Sequence, residues 1–321
     1  MRAWINALCS AVLALAALPV LAQPYPNKPI RLVVGYTPGG AADVIARILG
    51  EAMGRHLGQS VQVDNKPGAG STLGSDIVAR AAPDGYTLLL ATATLYGIDQ
   101  HLYKVKYGAA DFTPITLAAT SPLILAVHKN LGPRNVAELV AYAKANPGKL
   151  NYAHSGIGGT PQLAGIGFEK AVGVPMTHVP YKGGAPALQA VVAGDVQLSF
   201  GTAASVLPVG QQGQVRMLGV STLQRSRVAP DLPTLAEQGL PGFDHGFWFG
   251  LFGPAKLPPE VLDKVFAAAT KALNEPDVRA RLLAGGNEAQ PSPSPAEFGE
   301  WARASGRQSL ERVVQAGVKV E

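Results

Sequence analysis

The sequence IRLVVGYTPGGAADVIARIL occupies residues 30–49 and contains three structural signals in order. Its first five residues are apolar except for Arg31, and such a short run predicts a buried strand. Apolar residues then recur at helical spacing over 43–57, which predicts an amphipathic helix. Three glycines, at positions 35, 39 and 40, lie between the two elements. A strand, a glycine-rich loop and a helix in this order form the first unit of an α/β domain.

More strands and helices alternate after this unit. We predict strands at 61–63 and 86–91 and a helix at 73–82, an order that implies parallel pairing with right-handed crossovers. A comparable set follows, with strands at 123–127, 150–153, 176–179, 196–200 and 215–220 and helices at 136–146, 161–172 and 185–193. The sequence therefore predicts an α/β protein of two lobes, each a mostly parallel sheet flanked by helices.

The last hundred residues contain too few strands for a third lobe. They carry one predicted strand and three predicted helices, at 247–253, 258–274, 276–284 and 295–316. We expect this tail to return to the first sheet and cover it. The predicted lobe 1 is then discontinuous, 23–120 plus 222–321, and the predicted lobe 2 is 121–221. Two or more chain crossings between lobes are what a hinge requires.

The first 22 residues have the pattern of a secretory signal peptide. Arg2 is followed by an apolar run that is too short to span a bilayer, and Val20 and Ala22 provide the small residues of a cleavage site. We expect cleavage near Ala22, with an uncleaved membrane anchor as the alternative. The single cysteine, Cys9, lies within this segment, so the mature chain would contain no disulfide and no cysteine metal site.

Charge and histidine spacing exclude several classes of protein. The formal net charge is +5, but the 27 Lys and Arg residues are spread along the chain, whereas nucleic-acid binding favours a basic stripe or arm. A mild positive charge can attract anions, although it serves solubility equally well. The six histidines form neither H-x-x-x-H nor H-E-x-x-H. We therefore expect no nucleic-acid partner, no metal and no cofactor.

Two glycine-rich loops are the candidate binding elements, one in each predicted lobe, at 35–40 and 154–161. In an open parallel sheet, ligands bind beyond the carboxyl ends of the strands, where both loops are expected. Gly39 and Gly40 would let a ligand approach the backbone, and the free amides of a helix start favour an anion. In the second loop, we expect Thr160 to be the N-cap, before Pro161 at the first helical position. The alternative is that these glycines serve only the turns.

Other polar residues follow predicted strands and so reach the same sheet edges. Tyr36 would either line the cleft or pack in the core. Thr92 and Thr94 follow the strand at 86–91, and the pair Gly201-Thr202 follows the strand at 196–200. Lys182 would provide a cation or simply a solvated surface charge.

No catalytic residue is predicted. His154 and Ser155 are adjacent in sequence, where side chains rarely face each other, and Ala153 interrupts the G-x-S-x-G pattern of a nucleophile elbow. Asp43 and Asp84 are isolated carboxylates without a partner for acid–base chemistry. The sequence therefore favours a binding protein over an enzyme.

Six motifs in order resemble the Bug family, the TctC-like solute receptors of tripartite tricarboxylate transporters. They are PIRLVV at 29–34, PGG at 38–40 with Asp43, NKPGAG at 65–70, APDGYTLL at 82–89, NPGKLNY at 146–152 and HVPYKG at 178–183. The resemblance covers nearly the whole mature chain. It implies a two-lobed periplasmic binding protein, type II-like, with its ligand cleft between the lobes.

This resemblance implies a monomeric periplasmic receptor that captures a small carboxylate for uptake through TctA- and TctB-like membrane subunits. Family ligands include di- and tricarboxylates, acidic amino acids and aromatic acids. Relatives often carry Asp-Asn where this chain has Gly201-Thr202, so a plain organic acid is expected rather than an amino acid. Carried over by position, the implied ligand contacts are Tyr36, Gly39, Gly40, Thr92, Ser155, Gly156, Gly159, Thr160 and Tyr181.

Two alternatives remain open on the sequence. A periplasmic sensor that passes its closed state to a signalling protein would need the same cleft. An exported hydrolase would use Ser155 as its nucleophile.

Overall fold

The computed structural model describes residues 25–320. The predicted signal peptide at 1–22 and its cleavage site lie outside the described residues. Between residues 25 and 320, no helix is both long enough and apolar enough to cross a bilayer.

Eleven strands within the described range form two sheets. Their bounds are β1 Ile30–Val34, β2 Val61–Asn65, β3 Thr87–Ala91, β4 Phe112–Ser121, β5 Leu123–His128, β6 Asn151–His154, β7 Thr177–Pro180, β8 Leu198–Thr202, β9 Val215–Val220, β10 Phe247–Pro254 and β11 Glu288–Ala289. The first sheet has the order β11-β4-β10-β3-β1-β2, and the second has the order β7-β6-β8-β5-β9. We call the elements around the first sheet lobe 1 and those around the second sheet lobe 2.

Helices flank both sheets and complete an α/β fold of two lobes, as predicted. Their bounds are α1 Ala41–Leu57, α2 Thr72–Ala79, α3 Ile98–Leu102, α4 Val136–Ala145, α5 Thr160–Val172, α6 Gly184–Ala193, α7 Ala203–Gln211, α8 Pro259–Asn274, α9 Pro276–Ala284 and α10 Pro295–Gln315. The tail helix α8 packs on α1 and α10 packs on β4, so the tail covers the first sheet as expected.

The sheets are mixed, whereas the sequence predicted mostly parallel ones. In lobe 1, β1 pairs in parallel with β2 and β3, but β10 runs antiparallel between β3 and β4. In lobe 2, β6 pairs in parallel with β7 and β8, but β5 runs antiparallel to β8 and β9. The reason lies in the crossings. Strands β5 and β10 each enter a sheet from the other lobe, and no crossover helix of the βαβ type precedes them.

The strand and the helix predicted from the sequence at 30–57 are both present, as β1 and α1. In β1 every residue except Arg31 is buried. The buried face of α1 includes Ile45, Leu49 and Met53, each without exposed surface. Gly58 ends the helix in the left-handed conformation, with φ of 69°, and its amide donates to the Gly54 carbonyl, an arrangement that glycine adopts without steric cost.

Two central elements were missed by the sequence prediction. Strand β4 contains Pro114, which argues against a central strand, and the structure accommodates this proline beside a register shift at Phe252 of β10. Helix α7 contains Pro208 and ends in a glycine-rich segment, so its helical pattern is weak.

Over residues 25–320, the chain crosses between the two sheets twice. The first crossing is a single residue, Pro122, between β4 and β5. In the second, Ser221 and His245 exchange two hydrogen bonds, of 2.9 and 2.8 Å. Part of the segment between them packs on lobe 2: the Leu235 amide donates to the Val220 carbonyl, and the Phe243 ring stacks on Phe200. We propose that the lobe boundary lies near residue 246 rather than near 221.

Candidate functional site

A cleft lies between the two lobes and consists of two connected chambers. The first chamber is narrow, with a cavity volume of about 20 Å³, and its walls come from both lobes. The second chamber, with a cavity volume of about 230 Å³, lies beside it. Tyr36 of lobe 1 and Ser155 of lobe 2 belong to the walls of both chambers.

The starts of four helices form much of the first chamber. Gly40, Ala41 and Ala42 belong to the start of α1, and Pro161 belongs to the first turn of α5. Gly184 begins α6, and Thr202 is the residue before α7. The first amides of a helix have no acceptor within it, and the helix dipole is positive at this end. The chamber is therefore polarised to hold negative charge.

The walls of the first chamber contain no formally charged side chain among residues 25–320. Their polar groups are backbone amides and the hydroxyls of Tyr36, Ser155, Ser199 and Thr202, and the tail contributes the rings of Phe247 and Phe249. Such a wall can donate several hydrogen bonds to an anion without holding a fixed positive charge. Both predicted loops border this chamber, together with two helix starts that were not assigned to the site from the sequence.

Within the first loop, Gly40 and Gly39 have different surroundings. Gly40 is buried and lies on the chamber wall. Gly39 is exposed and is not a wall residue of either chamber; its amide donates to Asp43 Oδ2 at 3.1 Å. Its φ is +85°, and a Cβ built there would lie 3.8 Å from the Cβ of Ala185 in lobe 2. Gly39 therefore lies at the contact between the lobes, and its predicted role as a ligand contact stays a prediction.

Asp43 holds the first loop in place. Besides the Gly39 amide, its Oδ2 accepts a hydrogen bond of 3.0 Å from Arg47 Nε. Burial alone would raise the pKa of this carboxyl, but the hydrogen bonds from Arg47 and Gly39 outweigh burial and lower the pKa. Asp43 is therefore ionised at neutral pH, with its charge paired to Arg47.

The prediction that Thr160 is the N-cap of α5 is wrong. The N-cap is Gly159, which has no side chain, and Thr160 is the first helical residue. No side chain caps the first turn of α5; instead the Gln162 side chain reaches back from that turn, and its Oε1 accepts the Gly158 amide of the preceding loop at 2.7 Å. Neither Gly159 nor Thr160 is a wall residue, whereas Ser155 and Pro161 are.

Tyr36 belongs to the walls of both chambers, whereas the two threonines predicted at the same sheet edge are buried and lie on neither wall. Burial raises the pKa of the Tyr36 hydroxyl, and the hydroxyls of Thr92 and Ser71 oppose that shift. Thr92 is buried and is not a wall residue, so it contacts Tyr36 rather than the cleft. Thr94 is also buried, 3.5 Å from Thr92 between their hydroxyl oxygens.

The second chamber is closed by contacts between the lobes. The Tyr103 hydroxyl of lobe 1 donates to the Ile157 carbonyl of lobe 2 at 3.2 Å. A Cβ at Gly156 would lie 3.5 Å from Gly70 of the opposite lobe. Tyr181 and Lys182 complete the wall, and the exposed Lys182 is the formally charged side chain among the described wall residues of both chambers.

Several residues of the chamber walls were not predicted as site residues from the sequence. The start of α6 at Gly184 follows Gly183, so the pair is a third glycine loop after a strand, and this signal was visible in the sequence. Phe247 and Phe249 were predicted in a strand, but their position in the cleft depends on β10 lying between β3 and β4, which no local pattern reveals.

Histidine and serine are not arranged as a base and a nucleophile. His154 Nδ1 lies 2.9 Å from the Gly156 carbonyl oxygen, and its Nε2 lies 3.2 Å from Nδ1 of His178. Both ring nitrogens of His154 are thus engaged by groups other than Ser155.

A family-level comparison matches most of the chain. The model of the tripartite tricarboxylate transporter family receptor matches residues 45–295. A protein from the tcbD-tcbE intergenic region of Pseudomonas sp. strain P51 is 40% identical over 257 residues, which cover 79% of this chain and 76% of that protein.

Solved structures with the same fold align over nearly the whole chain. The periplasmic binding protein BugD has a TM-score of 0.87 and 34% identity, covering 92% of this chain and 100% of BugD. Rpa4515 of R. palustris, solved with adipate, has a TM-score of 0.88 and 31% identity over 92% of this chain and 99% of its own. MatC of Rhodopseudomonas palustris, solved with malate, has a TM-score of 0.83 and 33% identity over 90% of this chain and 100% of its own.

Proposed function

The chain belongs to the tripartite tricarboxylate transporter receptor family, and on that premise we propose that it captures a small organic acid in the cleft between its lobes. It is a periplasmic solute-binding protein of this family. The acid would then be delivered to membrane subunits of the TctA and TctB type, after export directed by the segment at 1–22.

The observation that carries the proposal is the convergence of four helix starts on a chamber whose described wall residues include no charged side chain. Each start contributes about 0.3–1 kcal/mol of favourable interaction with an anion at exposed sites, and more where water is partly excluded. A carboxylate can accept several amide hydrogen bonds at once, and bonds to a charged acceptor are stronger than neutral ones. Two similar structures, Rpa4515 and MatC, were solved with the carboxylates adipate and malate.

The wall chemistry favours a plain organic acid over an amino acid. Neither chamber has an aspartate or glutamate among its described wall residues. The ammonium group of an amino acid would therefore lose its hydration without gaining a charged partner, which is costly in a buried site. Gly201 and Thr202, which stand where the resemblance to the family would place Asp-Asn, both lie on the wall of the first chamber.

Binding without catalysis is the role that this cleft supports. The hydrolase alternative would need His154 to accept a proton from Ser155, but the two His154 ring nitrogens already face Gly156 and His178.

The proposal is tested with purified protein of residues 23–321 and a panel of organic acids in a thermal-shift experiment. A ligand that binds only the folded state raises Tm, by an amount that grows with its concentration. We expect malate, adipate or a related acid to raise Tm, and the corresponding uncharged amides to leave it unchanged. A panel in which no carboxylate raises Tm, or in which acids and amides act alike, would contradict the proposal.

A further inference from the structure

The loop of lobe 2 that lines the cleft is attached to a buried histidine. His154 is the last residue of β6 and is 1% exposed, and the loop residues Ser155, Gly156 and Ile157 follow it along the wall of the second chamber. The centroid of the His154 ring lies 5.9 Å from that of Tyr152 and 5.3 Å from that of His178.

The hydrogen-bond partners of His154 fix its tautomer. A carbonyl oxygen can only accept, so the 2.9 Å contact with Gly156 requires a proton on His154 Nδ1. In a neutral imidazole Nε2 then carries no proton, and the 3.2 Å contact with His178 requires the proton on His178 Nδ1. Burial lowers the pKa of His154 to about 4, so the ring is neutral at neutral pH.

This chain of bonds sets the direction of one peptide group in the cleft. The carbonyl of Gly156 and the amide of Ile157 belong to the same trans peptide, so they point in opposite directions. The Gly156 carbonyl lies 2.9 Å from the buried His154 imidazole and also accepts the Gly159 amide at 3.4 Å, and therefore the Ile157 amide faces away from the interior of lobe 2. Gly156 has φ of +149°, a conformation that side-chain-bearing residues rarely adopt, so the peptide is specifically placed.

The adjacent peptide is fixed as well. The Ile157 carbonyl accepts from the Tyr103 hydroxyl of lobe 1, and the Gly158 amide donates to Gln162. The Gly156–Ile157 peptide is thus held by His154 from one side, and its neighbour is held from the other. If the Gly156–Ile157 peptide flipped, a carbonyl oxygen would replace an amide at the cleft and repel an anion.

We propose that His154 is a positioning residue for the ligand: its Nδ1–H holds the Gly156 carbonyl inward so that the Ile157 amide faces the second chamber, and His178 selects the tautomer that does this. The part of the inference that concerns ligand affinity rests on the proposed function. The direction of the peptide does not, and it can be measured without a ligand.

The test compares two variants at His154. His154→Asn keeps an N–H donor near the position of Nδ1, whereas His154→Leu keeps the volume but removes the donor. We expect His154→Leu to weaken malate binding at least about tenfold, the scale of one misplaced hydrogen bond, and His154→Asn to stay within about threefold of wild type. His128→Leu, at the end of β5 away from the cleft, is the control and should bind as wild type does.

Two ligand-free measurements separate this inference from the proposed function. Nitrogen-15 spectra of the imidazoles should show the proton of His154 on Nδ1, and the amide resonance of Ile157 should shift in His154→Leu but much less in His154→Asn. A proton on Nε2 of His154, or an Ile157 resonance unchanged in His154→Leu, would overturn the inference even if malate binds. Equal malate affinity of the Leu and Asn variants would also overturn it.

Discussion

Gly40 contributes to the wall of the first chamber in a way that its neighbour Gly39 does not. Its φ of −88° and ψ of 174° are ordinary extended values, and a Cβ there would meet nothing closer than 4.0 Å. A side chain at position 40 would therefore fit without backbone strain, and it would project from the wall into the first chamber, where the ligand is proposed to bind. This makes Gly40 a better probe of the site than Gly39, where φ of +85° would strain any substitution.

We predict that Gly40→Val abolishes the carboxylate-induced rise in Tm while the free protein stays folded. The matched control is Gly108→Val, since Gly108 is also extended, with φ of −135°, and has open space around its Cβ position. Thermal unfolding with and without malate measures both variants. Unchanged malate stabilisation in Gly40→Val would contradict the assignment of this wall.

Lys182 allows a prediction about selectivity. It lies on the wall of the second chamber, so it would meet a second acidic group on a ligand whose first carboxylate occupies the first chamber. We predict that Lys182→Met weakens a dicarboxylate such as adipate about two- to fivefold more than a monocarboxylate of similar length, because an exposed ion pair contributes up to about 1 kcal/mol. Competition titrations give the ratio, and equal losses for both acids would argue against this role.

Asp99 is a buried carboxyl that should make stability depend on pH. It has no exposed surface, its Oδ2 accepts from the Tyr107 hydroxyl at 2.8 Å, and its Oδ1 has no hydrogen-bond partner. Burial raises its pKa from 3.8 to about 6, although the nearby hydroxyls of Tyr107 and Thr94 act in the opposite direction. The folded state therefore binds the proton more tightly than the unfolded state, and stability falls as pH rises from about 4 to 6.

We predict that Asp99→Asn removes this dependence. The free energy of unfolding of wild type minus that of the variant should fall by roughly 2–3 kcal/mol between pH 4 and pH 7, since one pKa unit corresponds to about 1.4 kcal/mol. Urea unfolding at the two pH values measures the difference. A difference that stays constant with pH would show that Asp99 ionises normally.

Among the secondary-structure elements, the helix starts determine the chemistry of the cleft. Those of α1 and α5 were predicted because each follows a strand and a glycine loop. The start of α7 was not predicted, since Pro208 and Gly210 obscure the helix that follows it. Helix α6 was predicted at 185–193, but its start was not recognised as part of the site. Local pattern thus predicted three of the four helices and assigned the starts of two of them to the cleft.

A fixed anion at a helix start should imitate the ligand. Gly184 is the first residue of α6 and lies on the wall, and the nearest atom to a Cβ built there is the Ser205 hydroxyl at 3.0 Å, which can rotate away. We predict that Gly184→Asp raises the Tm of the free protein relative to Gly184→Asn, because an acidic group at a helix N-terminus contributes about 0.3–1 kcal/mol.

The same pair of variants separates charge from volume in binding. Gly184→Asp should lose malate binding more completely than Gly184→Asn, which has nearly the same shape. Equal loss in both, measured by titration at the same ionic strength, would mean that volume rather than charge governs this wall.

The molecule as a whole is closed around its cleft. Apolar side chains from both lobes form one cluster beside the second chamber, with Ile98 of α3 and Val313 of α10 packed against Leu163 of α5. The crossing at Pro122 is one residue long, so opening must concentrate there and near Ser221 and His245. The sequence predicted two lobes and a return of the tail, but the strand directions could not be predicted because they depend on these crossings.

Closure can be trapped covalently. The Cβ positions of residues 39 and 185 are 3.8 Å apart, within the range of a disulfide. Cys9 is the only cysteine in the sequence, so a variant of residues 23–321 with Gly39→Cys and Ala185→Cys contains just this pair. The positive φ of residue 39 strains the cysteine there, so the reduced double variant rather than wild type is the reference for the oxidised protein. We predict that oxidation without ligand blocks malate entry and that reduction restores it. Free exchange of malate in the oxidised protein would show that ligands enter without opening of the lobes.

If helix starts recognise the negative charge of a carboxylate, the cleft should distinguish an acid from an uncharged analogue of the same shape. Calorimetric titration of residues 23–321 with malate and adipate, each beside its uncharged diamide, measures this difference. We expect one site per chain for at least one of the acids and an affinity at least about tenfold lower for its diamide. An acid and its diamide that bind equally well, or no binding by either acid, would contradict the claim.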